Sequence, residues 1–279
     1  MGIDTPARRA AGVDDAAGVR GARQDGVDAV SAMDDEFDVV AAWTEEAARA
    51  LGPGHAVPAG CRGSGSVGSL SWLADRLDLR PGTRLIDSGA GVGGPAAWLA
   101  GERQVQPVCV EPMAGAVHAS RRLFGLPTVL GDAQALPLAD GTAEAAWCLG
   151  VLCTLPDKAA ALRELHRVLV PGGRLGLLVF AQTGPLRTAP PEGNSFPAAD
   201  GLDDLLTAAG FAVRDRAVAD LHDNPPAWAE AVDAVEAEVA RRHGADPRWA
   251  RADEQSARMG ALVASGDVQP VLVVADRGA

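Results

Sequence analysis

At 279 residues, 47% hydrophobic and 22% charged, the chain is sized for one large α/β domain with appendages. Its formal net charge of −12 speaks against nucleic acid, since a binder of phosphate backbones needs a basic face and Arg8-Arg9, Arg121-Arg122 and Arg241-Arg242 are short and scattered. No apolar run reaches the ~18–20 residues of a bilayer span, and the first residues lack a signal peptide's apolar segment, so no membrane partner and a cytoplasmic location are expected.

Residues 1–35, rich in Ala, Gly, Asp and Arg, read as a disordered or loosely helical tail. Residues 36–80 read as an N-terminal helical cover. In it, Phe37, Val40, Trp43, Ala47 and Leu51 form an amphipathic helix stopped by Gly52-Pro53-Gly54. A glycine- and serine-rich segment, Pro58 to Ser69, leads to a helix carrying Leu70, Leu73 and Leu77 on one face.

Strands are expected at about 84–87, 106–110, 127–130, 144–149 and 174–180, with helices at about 94–102, 113–124 and 158–169. Pro171-Gly172-Gly173 reads as a sharp turn into the fifth strand. Helix 201–209 leads to a sixth strand at 211–218, and Val268–Ala275 is a final strand. Between these two strands, 227–243 and 248–264 read as helices split by Asp246-Pro247. This alternation predicts an α/β fold with a doubly wound, mostly parallel sheet and right-handed crossovers.

The stretch Leu85-Ile86-Asp87-Ser88-Gly89-Ala90-Gly91-Val92-Gly93-Gly94-Pro95 is a strand, a glycine-rich turn and a helix start. That arrangement brings a nucleotide-like ligand against bare backbone. Gly89, Gly91 and Gly94 also satisfy the dinucleotide pattern G-x-G-x-x-G, which leaves an NAD(P)-dependent oxidoreductase open. Asp87 weighs against it, because a carboxylate beside the turn repels a pyrophosphate and attracts an ammonium or a sulfonium.

Acidic residue, any residue, then Gly-x-Gly-x-Gly is the first motif of the class I methyltransferases that use S-adenosylmethionine (SAM), and Asp87 to Gly93 resembles it. Leu136-Pro137-Leu138 resembles that family's LPF connector, and Val168-Leu169-Val170-Pro171-Gly172-Gly173 its LKPGG scaffold turn. The resemblance covers roughly 68–276 and implies a seven-stranded Rossmann-like sheet whose last strand lies antiparallel between the fifth and sixth. It makes 81–279 a SAM-binding domain, with a helical insertion at about 225–265 covering the substrate.

The resemblance also implies roles. Asp87 meets the methionyl ammonium, the alternative being a carboxylate that satisfies the loop's own N–H groups. Gly89, Ala90 and Gly91 pass their backbone beside the methionine. Glu111 accepts the ribose hydroxyls, a contact that by position alone also fits NAD. Pro112 and Met113 pack on adenine, or Met113 simply packs at a helix start. Asp132 and the Ala133 N–H read the adenine edge, helix capping being the alternative for Asp132. Leu149 and Gly150 bring backbone carbonyls toward the ammonium.

Transfer of a methyl group from a sulfonium relies mainly on alignment and water exclusion, and a base is needed chiefly for alcohols, phenols and carbon acids. By position, His222, Cys153 and His55 are the catalytic candidates, with Arg62 beside them; surface or packing roles are the alternative for each. His118, His166 and Cys148 read as structural, and Trp228 and Trp249 as lining an apolar pocket or packing the cover. Cys61, Cys109, Cys148 and Cys153 form no C-x-x-C pair and have no nearby His, so no metal site is expected. The sequence thus predicts a SAM-dependent methyltransferase of a small-molecule metabolite that releases S-adenosylhomocysteine (SAH), as a monomer or homodimer. The alternative within the same fold is a SAM-binding protein that transfers no methyl, a cyclase or a binding protein.

Overall fold

Burial along the strands follows from their composition. The strands β1 (Arg84–Ser88) and β4 (Ala143–Leu149) carry apolar side chains on both faces and are buried almost throughout, as central parallel strands must be. The strand β6 (Phe211–Val218) alternates buried and exposed positions, the signature of a strand with one wet face. A computed structural model describes residues 36–278; the expected tail, 1–35, lies outside the described residues.

With β2 (Gln106–Glu111), β3 (Thr128–Leu130), β5 (Leu169–Gln182) and β7 (Val268–Arg277), these form one seven-stranded sheet in the order β3-β2-β1-β4-β5-β7-β6. The first five strands are parallel, and β7 is antiparallel to both β5 and β6. The strand order reverses between β1 and β4, so the crevice beyond their carboxyl ends is the topological switch point where ligands of open α/β sheets bind.

The fifth strand starts at Leu169 rather than 174, because Leu169 already pairs with Ala143. The next pair is Arg174 with Ala145, so the Pro-Gly-Gly run bulges out of a continuous strand, with Gly172 at φ 75°.

The helix α1 (36–51) buries Val40, Trp43, Ala47 and Ala48, while Phe37 and Leu51, counted on its apolar face, are exposed. After a 3-10 turn (Pro53–His55), α2 (Ala56–Ala59) follows, and both pack with α8 (Pro226–His243). Val40, Trp43, Ala47 and Ala59 form one cluster with Val235 and Val239 of α8 and Ala252 of α9 (Pro247–Ala264). The N-terminal segment and the insertion therefore share a small core of their own. The helix α3 (Val67–Arg76) instead lays Leu70, Leu73 and Ala74 on the sheet.

The amino end of α3 is clasped by the loop after β6. Asn224 Oδ1 accepts from Val67 N–H (2.9 Å), Asp223 O from Gly68 N–H (3.0 Å), and Ser66 Oγ–H donates to Asp220 O (2.6 Å). The remaining helices, α4 (Gly94–Arg103), α5 (Ala114–Phe124), α6 (Lys158–Val168) and α7 (Leu202–Ala208), flank the sheet. Among the described residues no helix is long and apolar enough to cross a membrane.

Candidate active site

Asp87 ends the apolar run of β1 between Cys109 of β2 and Trp147 of β4, its register partners. The residue is 2% exposed, and its Oδ2 has no hydrogen-bond partner. Burial pushes the carboxyl up to about 7; the Trp147 indole N–H pulls the other way without closing a hydrogen bond of ordinary geometry, and Glu111 pushes further up. Cys61, Cys109 and Cys148 are raised by burial first and then by the Asp87 charge, which puts three buried thiols around this carboxylate.

The glycine loop finds its acceptors elsewhere. Gly89 and Ala90 N–H donate to Val110 O (2.8 and 3.2 Å), Gly91 N–H to Glu111 Oε2 (2.8 Å) and Gly94 N–H to Gly60 O (3.2 Å). Asp87 accepts none of these. Gly89 has φ 75°, and a Cβ there would lie 2.4 Å from Val151 Cγ2, so both conformation and space demand glycine.

Glu111, at the end of β2, accepts from the loop on one side and from Met113 N–H (3.1 Å) on the other. The segment from Gly91 to Glu111, twenty positions apart, is thereby closed into one notch. Asp132 is exposed in a turn with no helix after it, so it caps none; its Oδ1 accepts from Gln134 N–H (2.8 Å). Ala133 and Leu136 are buried beside it, and Pro112 is exposed at the notch's rim. Arg167 anchors the connector by donating to Leu136 O (3.0 Å) and Leu138 O (2.7 Å).

At the end of β4 Leu149 is buried, and beyond it Gly150 turns at φ 74°, donating its N–H to Leu178 O (2.9 Å). A Cβ on Gly150 would lie 2.3 Å from Gly63 O, so the N-terminal segment closes tightly over this turn. The Cys153 thiol donates to Gly150 O (3.3 Å), and burial pushes it up to about 12, which removes it as a base near neutral pH.

His55 and His222 do not join Cys153. His55 lies in the 3-10 turn that packs with α8, its Nδ1 3.4 Å from Gly52 O. His222 is exposed on the clasp over α3, and Arg62 donates to Ser256 Oγ of α9 (2.8 Å). His118 is exposed on α5, and His166 meets Phe211 edge-on at 5.3 Å. Trp249 packs with the α1–α8 cluster and Trp228 against the sheet.

Sequence reasoning missed Lys158, the chain's sole lysine, whose ammonium donates to Leu155 O (2.9 Å) and Ser195 Oγ (2.8 Å). This ties the segment after β5 onto the turn after β4. A hollow of about 440 Å³ lined by Asp75, Arg76, Arg174, Arg214 and Asp215 lies at the amino ends of the strands, away from the crevice. Among the described residues no cluster of His, Cys, Asp or Glu is placed to hold a metal ion.

A seven-stranded sheet with an antiparallel seventh strand inserted beside the fifth, and carboxylates at the ends of β1 and β2, defines a class I methyltransferase fold. Residues 86–177 match the family model described as a methyltransferase domain. Methyltransferase GfsG of Streptomyces halstedii is 33% identical over 168 residues, 57% of this chain and 55% of that protein. Demethylmenaquinone methyltransferase of Corynebacterium kroppenstedtii is 39% identical over 106 residues, 38% of this chain and 45% of that protein. The matches thus span about half the length of these relatives. Among solved structures, the [4+2]-cyclase SpnF superposes with a TM-score of 0.60 at 26% identity, over 75% of this chain and 79% of that one.

Proposed function

We propose that the protein is a SAM-dependent methyltransferase of a small-molecule acceptor. The observation that carries this reading is Asp87: a buried carboxylate, one oxygen without a partner, beside a glycine loop whose N–H groups are already satisfied. An orphaned buried carboxylate calls for a cation, and the methionyl ammonium of SAM supplies one. Glu111, its neighbour in the notch, exchanges its loop N–H contacts for the ribose hydroxyls. Asp132 and the Ala133 N–H face the adenine edge, with Pro112 and Met113 on its flat side. The backbone of Gly89, Ala90, Gly91, Leu149 and Gly150 surrounds the methionine.

When bound, the cofactor supplies an electrophilic methyl group on a sulfonium whose leaving group is a neutral thioether. The chain's part is to align the acceptor with that carbon and to exclude water. Residues 60–63 and the turn after β4 close over the transfer point, and α1, α8 and α9 wall the acceptor side. Asp87, Glu111 and the backbone of Gly89, Ala90 and Gly91 would hold the cofactor with its methyl carbon presented to the acceptor atom for in-line displacement. The acceptor's proton passes to solvent when the product leaves the closed site, since His55, Cys153 and His222 are not poised to take it.

Calorimetric titration with SAH, on wild type and Asp87→Ala, tests the cofactor half of the reading. Binding to wild type that is lost in the variant supports it, and a folded wild type without binding ends it. A screen of small-molecule acceptors with methyl-labelled SAM tests the transfer half.

The likeness to SpnF favours one second reading, a cofactor-binding protein of this fold that closes a ring without moving a methyl group. In that case SAH binds, and no acceptor in the screen drives its formation.

A further inference from the structure

The two lips of the notch around Glu111 are bridged by α1. Glu111 accepts from Gly91 N–H on one lip and Met113 N–H on the other. The next residue of the loop, Val92, packs together with Met113, with Ala116 and Ala119 of α5, and with Ala41 of α1. Asp38, one turn before Ala41, accepts from Gly115 N–H, an amide of the first turn of α5 that has no partner within its own helix.

The approach at that point is backbone-close. A Cβ on Gly115 would lie 2.6 Å from Asp38 O and 2.9 Å from Asp38 Oδ1, so only glycine admits α1. Behind Val92 and Met113, on which Ala41 of α1 packs, Glu111 is 6% exposed. The far flank of α1 is held by Val235 and Val239 of α8, not by the sheet. On the notch side α1 is fastened by the charge-assisted hydrogen bond of Asp38 and a patch of small apolar side chains; farther along α5, Glu45 of α1 pairs with Arg122 (3.3 Å), and Leu123 and Phe124 pack on the α1 cluster.

We propose that α1 is a latch over the adenosine half of the cofactor site, and that the Asp38–Gly115 contact sets how fast the cofactor leaves. The inference rests on the reading of Glu111 as the ribose ligand. Asp38 is a positioning residue, since it touches α5 and not the cofactor. Its carboxylate both holds the roof down and fixes the turn that carries Met113.

The test is SAH release from the full chain, followed by stopped-flow chase, with thermal unfolding of each protein alongside. Calorimetry on wild type comes first; no SAH binding there overturns the cofactor reading and this inference with it. Given binding, Asp38→Ala should release SAH about tenfold faster, in line with the loss of one charge-assisted hydrogen bond. Asp38→Asn keeps an acceptor of equal capping strength and should return most of that loss. Gly115→Ala favours the α5 helix by itself but pushes α1 away. It should therefore speed release more than an equally destabilising change on the outer face of α8 does, an outcome that a purely structural role does not give. Wild-type release rates in both Asp38→Ala and Gly115→Ala overturn the latch while leaving the cofactor reading intact.

Discussion

Asp87 and Trp147 are register partners across β1 and β4, both fully inside the sheet, and each holds out a polar atom that nothing satisfies: the carboxylate Oδ2 and the indole Nε1. A buried pair of this kind costs stability unless a ligand completes it. Because Asp87 titrates near 7 in the fold against 3.8 when exposed, the folded state holds the proton more tightly than the unfolded chain. Its contribution to stability therefore falls as pH rises from about 4 to about 7 and is level above that. Cofactor binding runs the opposite way, since an ammonium partner requires the ionised carboxylate. The SAH dissociation constant should be constant above pH 7 and rise about tenfold per pH unit below it. Trp147→Phe removes the N–H that holds the carboxyl down, so the midpoint of that profile should move to higher pH. Calorimetry between pH 5.5 and 8.5 on both proteins checks this, and a flat profile for wild type would sink the assignment of Asp87.

Gly89 and Val151 make a second pair whose coupling is measurable. Gly89→Ala meets two obstacles, the side chain of Val151 at 2.4 Å and a φ of 75°. Val151→Ala removes the first and leaves the second. The single variant Gly89→Ala should be strongly destabilised. The double variant should recover the steric part, keeping the ~1–2 kcal/mol cost of a left-handed alanine. Urea midpoints of the four proteins give the cycle, and strict additivity would show that Val151 is free to swing away.

What was legible in the sequence is what repeats locally. Alternation and apolar runs place β6 and the helices within a residue or two. The Pro-Gly-Gly run looked like a turn because proline and glycine punctuate chains, yet flanking pairs with β4 keep it inside the strand. Contacts between distant segments were not legible. Asp38 reads as one more polar residue of an amphipathic helix, and only the fold brings it to Gly115, 77 residues away. His222 followed a strand end, which suggested a substrate-facing place, but its loop is spent on clasping α3. Lys158 carries no pattern at all until Ser195 folds back onto it.

The connector between Asp132 and β4 should depend on Arg167. Its guanidinium donates to Leu136 O, Leu138 O, Asp140 Oδ1 (2.7 Å) and Glu164 Oε2 (2.6 Å), and Glu164 in turn accepts from Leu136 N–H (2.8 Å). Several partners at once need the planar fork of arginine, so Arg167→Lys should recover little of what Arg167→Ala loses. Both variants should lose roughly 1–3 kcal/mol of stability. Both should also weaken SAH through the adjacent Asp132 turn, more than an equally destabilising change on the outer face of α8 does. Chemical denaturation and calorimetry on the set separate the two effects; affinity that follows stability alone would place the Asp132 turn outside the cofactor site.

The four thiols offer a check on the closure of the whole site. Cys61, Cys109, Cys148 and Cys153 are all buried and unpaired, and burial pushes every one of them above its ordinary value. A thiol reagent acts on exposed thiolate, so the folded protein at pH 8 should react slowly at all four and the denatured protein quickly at all four. Cys61 is the informative one, because it sits on the N-terminal segment that closes over Asp87. If that segment lifts to admit the cofactor, Cys61 should be labelled first in the free protein and protected by saturating SAH, while Cys109 and Cys148, inside β2 and β4, stay silent in both. Mass spectrometry of peptides after timed labelling resolves the sites. Equal labelling of Cys61 with and without SAH would mean that the segment does not open on the path of the cofactor, and that the route in runs past α1 alone.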